Sequence, residues 1–134
     1  MPKILIFEDD KFLTDMYAVK FHEAGFEVAV YSTPSSDPVQ IVLKEKPDII
    51  SMDVIMPDMD GFEATMLIKA DPRTRDIPLY FLTTLGQQQD IDRGLQLGAT
   101  EYLVKATLTP SEVVERVVAI LRLHKTVNGK EPPS

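Results

Sequence analysis

Four short stretches of this 134-residue chain carry side chains that could do chemistry together. They are the acidic triplet Glu8-Asp9-Asp10, the single Asp53, the hydroxyl pair Thr83-Thr84, and Lys105. Each directly follows a short apolar run. A desolvated charge inside a strand is costly without a partner, so these groups belong at strand ends. The carboxyl ends of strands are where open α/β sheets place their sites. Carboxylates gathered there repel one another unless a cation or protons intervene. Oxygen donors without His or Cys select a hard cation such as Mg²⁺ or Mn²⁺. Mg²⁺ typically takes one or two carboxylates plus a phosphate oxygen, so this edge suits phosphoryl chemistry. Lys105 and Thr83 would lie against the equatorial oxygens of a transferring group. Asp53 could act as the nucleophile and form an aspartyl phosphate.

The elements that must position these groups alternate along the chain. Apolar runs at Lys3 to Phe7, Glu27 to Tyr31, Asp48 to Met52, Leu79 to Leu82 and Glu101 to Val104 read as strands. Most lack period-2 alternation, as strands buried on both faces do. A first helix is expected from about Asp10 to Ala24, with Phe12, Leu13, Met16, Tyr17, Lys20 and Phe21 at helical spacing and Gly25 as a stop. A second opens at Asp37-Pro38, an N-cap followed by an N1 proline, and ends before Pro47. A third follows Gly61 and stops near Asp71-Pro72. A fourth spans about Gln87 to Leu97. The fifth opens at Thr109-Pro110-Ser111-Glu112, a capping-box spacing, and runs to about His124. On this last helix Val114, Val117, Val118 and Leu121 form the expected core stripe. Val113, Ile120 and Leu123 extend the apolar surface beyond it. Five consecutive βα units predict an α/β fold: a doubly wound five-stranded parallel sheet with helices on both faces.

Composition bounds the rest. Hydrophobic residues make up 44% and charged residues 26%, ordinary for one globular domain. Residues 1–124 are expected to form that domain. Residues 125–134 contain Asn128-Gly129 and Pro132-Pro133 without apolar periodicity and are expected to be a disordered tail. The net charge of −7 argues against direct nucleic-acid binding. The absence of cysteine excludes disulfides and thiolate metal sites. No apolar stretch approaches the ~18 residues of a membrane span, and the default location is cytoplasmic.

Four motifs in order carry a family resemblance. They are Ile4-Leu5-Ile6-Phe7-Glu8-Asp9-Asp10, the run from Asp48 through Asp53 and Met56-Pro57 to Gly61, Ile77-Pro78 through Thr83-Thr84, and Gly98-Ala99 through Tyr102 to Lys105. Over roughly residues 3–124 the chain resembles the CheY-like receiver domains of response regulators in two-component phosphorelays. The resemblance implies a flavodoxin-like strand order 2-1-3-4-5. It also implies that Asp53 accepts a phosphoryl group from a histidine kinase or a histidine phosphotransfer protein. Glu8, Asp9, Asp53 and the Ile55 carbonyl would hold Mg²⁺, with Asp9 the direct ligand and Glu8 acting through water. Thr83 and Lys105 would bind the phosphoryl group, and Tyr102 would be the switch aromatic. The product is a signalling phosphoprotein that slowly loses its own phosphoryl group, not a turnover enzyme. Its output would run through the face of the fourth helix, fifth strand and fifth helix, to a partner, an attached domain or a second copy. Ala106 stands where the family usually has proline in a cis peptide, so the path of Lys105 is either strained or trans. Thr84 is bulkier than the residue often found there and is expected to slow hydrolysis.

Plainer readings stand beside these. Asp10 is read as an N-cap, and Asp58 and Asp60 as turn residues. Thr83 and Thr84 alone would be strand residues, Lys105 alone a solvated lysine, and Tyr102 alone a half-buried aromatic. His22 and His124 read as surface groups. A flavodoxin-like cofactor binder would want a glycine-rich phosphate loop after the first strand, where this chain is acidic. A phosphatase with an aspartyl intermediate would want a second acid two residues after Asp53, where this chain has Ile55.

Overall fold

The computed structural model describes residues 1–127. Strands β1 (Lys3–Phe7), β2 (Glu27–Tyr31), β3 (Ile49–Met52), β4 (Leu79–Thr83) and β5 (Glu101–Val104) alternate with helices α1 (Lys11–Glu23), α2 (Pro38–Glu45), α3 (Gly61–Ala70), α4 (Gln88–Gln96) and α5 (Pro110–Val127). The sheet is parallel throughout, in the order β2-β1-β3-β4-β5. This is the doubly wound arrangement expected from the sequence.

The helix starts follow from their caps. Asp10, Asp37 and Asp60 accept hydrogen bonds from the backbone N–H groups of Leu13, Gln40 and Glu63. Thr109 and Glu112 exchange reciprocal hydrogen bonds of 3.2 and 3.0 Å, a complete capping box on α5. Strand side chains alternate faces, so the sheet separates two cores. Ile4, Ile6, Ile49, Tyr80, Leu82 and Leu103 pack with Tyr17 and Phe21 of α1 and with α5. On the opposite face Leu5, Phe7, Ile50, Met52 and Phe81 pack with Val42 of α2 and with Phe62 and Ile68 of α3.

Three expectations are corrected. The core stripe of α5 is Val113, Val117, Ile120 and Leu121, while Val114 and Val118 are only partly buried. The helix is rotated so that an i, i+4, i+7, i+8 stripe meets α1 and the sheet. Val113 and Ile120 therefore leave the outer apolar surface, where Leu123 remains exposed. Phe12, counted with the inward face of α1, is 75% exposed; the buried face there is Thr14, Tyr17 and Phe21. Finally, α5 continues through Val127, three residues into the expected tail. Residues 128–134 of that tail lie outside the described residues. No helix of the described residues is long and apolar enough to cross a membrane.

Candidate phosphoryl-transfer site

Register brings the site together. Phe7 of β1 pairs with Met52 of β3, so Glu8 and Asp53, one residue further on, emerge side by side. Glu8 and Asp53 share the parity of Ile6 and Ile49, on the α1 and α5 face of the sheet. Lys105 shares the parity of Leu103 on that same face. Thr83 and Tyr102 take the opposite parity, with Phe81.

The geometry follows this division. Lys105 Nζ lies 2.5 Å from Glu8 Oε1 and 2.8 Å from Asp53 Oδ2. The second oxygen of Asp53 accepts a 2.7 Å hydrogen bond from the Val54 N–H. The second oxygen of Glu8 accepts from the Asp10 N–H at 3.1 Å. Glu8 and Asp53 are 4% and 6% exposed, so both depend on these partners. Burial pushes Glu8 up to about 7; the Asp53 carboxylate adds to this and the Lys105 ammonium opposes it. Burial alone would lower Lys105, but its hydrogen bonds to Asp53 and Glu8 outweigh that and hold it above the ordinary lysine value.

Carboxylate oxygens of Glu8, Asp9 and Asp53 all lie within 4.8 Å of one another. Three carboxylates face one ammonium, and burial, with a smaller contribution from the Asp53 charge, raises Glu8. An all-oxygen donor set with surplus charge fits a hard divalent cation.

On the other parity, Thr83 is fully buried and its Oγ1 accepts a 3.3 Å hydrogen bond from the Leu85 N–H. The Tyr102 hydroxyl donates a 2.7 Å hydrogen bond to the Leu85 carbonyl. Burial pushes that phenol up to about 12, so it remains a donor. The Thr83 and Tyr102 side chains thus hold opposite ends of one residue in the β4–α4 loop. The Tyr102 ring packs 5.5 Å from Phe81 and against α4 at Gly94, where a Cβ would stand 2.7 Å from Tyr102 Cδ2.

Lys105, Ala106 and Thr107 form a single 3-10 turn with trans peptides, which resolves the path of the β5–α5 loop. Thr84 is exposed at the end of β4, and Ile55 turns its side chain to solvent. Asp10 caps α1 as expected, and His22 is exposed.

Two features were not read from the sequence. Gly61, taken only as a helix start, lies against β3: a Cβ there would stand 1.9 Å from the Asp53 carbonyl oxygen. The close pairing of its N–H with the Val54 carbonyl at 2.8 Å requires that approach. Thr33 donates toward the Pro57 carbonyl and toward Asp58 Oδ2, each at 2.9 Å. No local spacing signals a contact across 24 residues.

The response regulator receiver domain family matches residues 4–118 of the chain. The DNA-binding dual master transcriptional regulator RpaA of Synechocystis is 36% identical over 91% of this chain and 50% of its own length. The phosphate regulon transcriptional regulatory protein PhoB of Pseudomonas aeruginosa is 34% identical over 89% of this chain and 51% of its own. The chain therefore spans about half the length of the curated relatives it matches. Among solved structures, a putative response regulator from Chloroflexus aurantiacus superposes with a TM-score of 0.81 at 31% identity, covering 90% of this chain and 97% of that one.

Proposed function

Since this chain belongs to the response regulator receiver domain family, we propose that Asp53 is its phosphoryl acceptor and that its output is conformational. The observation that carries this is the Lys105 ammonium bridging Asp53 and Glu8 inside a group of three carboxylates at the carboxyl edge of the sheet. That arrangement gives a nucleophilic carboxylate, a cation beside it, and an acidic pair for a metal.

The donor is a phosphohistidine of a histidine kinase or histidine phosphotransfer protein. An Asp53 carboxylate oxygen attacks phosphorus, the P–N bond breaks, and the imidazole leaves with the electron pair and takes up a proton. Glu8, Asp9, Asp53 and the Ile55 carbonyl would hold Mg²⁺ or Mn²⁺. When bound, the cation supplies neutralisation of charge on the transferring group. Lys105 exchanges part of its contact with Asp53 and Glu8 for a phosphoryl oxygen, and Thr83 turns its hydroxyl from the Leu85 N–H toward the phosphoryl group. Tyr102 follows through the shared Leu85 backbone and changes the α4-β5-α5 face.

That face addresses a downstream partner, an attached output domain or a second copy of the chain. The DNA-binding role in the name of RpaA belongs to that longer protein; the net charge of −7 argues against direct DNA contact by this domain. We read residues 1–124 as the receiver domain, acting in the cytoplasm as a regulator and not as a turnover enzyme. With Mg²⁺ and a small phosphodonor, the intact mass is expected to rise by one phosphoryl group. Asp53→Asn is expected to abolish the rise, and an unchanged gain in that variant would falsify the assignment.

A further inference from the structure

Thr33 sits in the β2–α2 loop, two residues past the end of β2. Its hydrogen-bond partners lie in the β3–α3 loop, which leads from Asp53 to α3. In the sheet, β1 separates β2 from β3. The tie from Thr33 to Pro57 and Asp58 therefore spans the carboxyl end of β1, where Glu8 and Asp9 emerge. Ser32, its neighbour, lines the same cleft as Glu8 and Asp9.

The single hydroxyl is a three-way node. Thr33 Oγ1 shares its proton between the Pro57 carbonyl and Asp58 Oδ2, and accepts the Ser35 N–H at 2.9 Å. Both loops it joins contain a residue in the left-handed region, Ser35 at φ 53° and Asp58 at φ 72°. Neither conformation is the default for these residues, and each stands beside the hydroxyl. Toward Asp53 the β3–α3 loop is anchored by the Gly61 N–H on the Val54 carbonyl. At its outer turn the interloop anchor is Thr33. Ile55 lies between these two anchors.

We propose that Thr33 is a positioning residue for the metal site, setting the aim of the Ile55 carbonyl through Pro57 and Asp58. This rests on the functional reading above. Thr33 reaches Ile55 only through Pro57 and Asp58, one remove further out than the direct partners of metal ligands, whose loss weakens metal affinity about 10-fold or more.

The test uses the whole chain and Mg²⁺ alone as the probe, titrated by following backbone amide resonances of residues 8–9, 54–56 and 58–61. It is paired with the rate of phosphorylation by a small phosphodonor across Mg²⁺ concentrations. Thr33→Val, which removes the hydroxyl and keeps the shape, is expected to raise the Mg²⁺ Kd by up to about 10-fold. The rate at saturating Mg²⁺ is expected to stay within about twofold of wild type, because the chemistry of Asp53 is untouched. Thr33→Ser is expected to restore the Kd, and Thr33→Ala to repeat the valine result, so that a packing defect peculiar to valine does not decide the matter. A wild-type Kd in Thr33→Val, or a rate lowered equally at all Mg²⁺ concentrations, overturns the proposal. The wild type separates the two readings. If it gains no phosphoryl group at Asp53, the functional reading falls and takes this one with it. If it does, and Thr33→Val binds Mg²⁺ as tightly, only the role of Thr33 falls.

Discussion

One ammonium holds two buried carboxylates at this site, and that sets what single substitutions do. Lys105→Met leaves Glu8 and Asp53 facing each other with only the Asp10 and Val54 N–H groups as partners. Breaking a buried charge pair by removing one partner destabilises by about 3–5 kcal/mol. Denaturant unfolding without metal is expected to show a loss near the lower end, since Lys105 itself is partly solvated. Added Mg²⁺ is expected to narrow the gap between variant and wild type, because the cation replaces the missing positive charge. A gap that stays constant up to saturating Mg²⁺ would show that the carboxylates do not share a cation. Thr84 tests a different group. It is exposed at the end of β4, beside the buried Thr83, and its bulk is expected to restrict the approach of water. Thr84→Ala is expected to shorten the lifetime of the phosphorylated form by up to about tenfold, which is ~1.4 kcal/mol of barrier. An unchanged lifetime removes Thr84 from the account of hydrolysis.

The elements divide into those whose cause is local and those whose cause is distant. The capping box of α5 is local: Thr109 and Glu112 are three residues apart and bond as their spacing predicts. Thr109→Ala is expected to lower stability by about 1 kcal/mol, read as a shift in urea midpoint at constant slope. Gly61 has a more distant cause, the Asp53 backbone just past the end of β3. A Cβ at Gly61 would meet immovable backbone at 1.9 and 2.8 Å, so α3 must shift from β3. Gly61→Ala is expected to destabilise by about 3 kcal/mol or more and to weaken Mg²⁺ binding at the same time; a variant as stable as wild type would contradict the packing. The same division explains how much could be read in advance. Strand and helix order, the caps at Asp10, Asp37 and Thr109, and the carboxylates and Lys105 at strand ends all follow from neighbours within a few residues, whereas Asp60, read as a turn residue, caps α3. The rotation of α5 could not be read, because Val113, Val114, Val117 and Val118 are chemically equivalent and only the packing partner chooses between them. The Thr33 tie and the close approach at Gly61 join segments that the chain does not place together until the sheet has formed.

At the scale of the whole molecule, the acidic edge couples proton, metal and fold. Glu8 titrates near 4.5 when unfolded and at about 7 in the folded, metal-free protein. Between those values the native state binds the extra proton, so metal-free stability falls as pH rises from 4.5 to 7, and above 7 this group adds no further slope. A divalent cation held at this edge would oppose that proton, with Glu8 facing it through water. Its apparent Kd therefore tightens as pH rises through 7, opposite in sign to the metal-free trend. Ligand binding stabilises by RT ln(1 + [L]/Kd), about 2.7 kcal/mol at a hundred times Kd. For a chain of this size, each kcal/mol moves Tm by roughly 2–8 °C. At one fixed Mg²⁺ concentration, the gain in Tm is expected to be larger at pH 8 than at pH 6. Glu8→Gln, which cannot titrate, is expected to show the same gain at both. Equal gains in the wild type, with Mg²⁺ bound at both pH values, would mean that Glu8 carries no proton to displace, and that Lys105 alone balances the acidic edge.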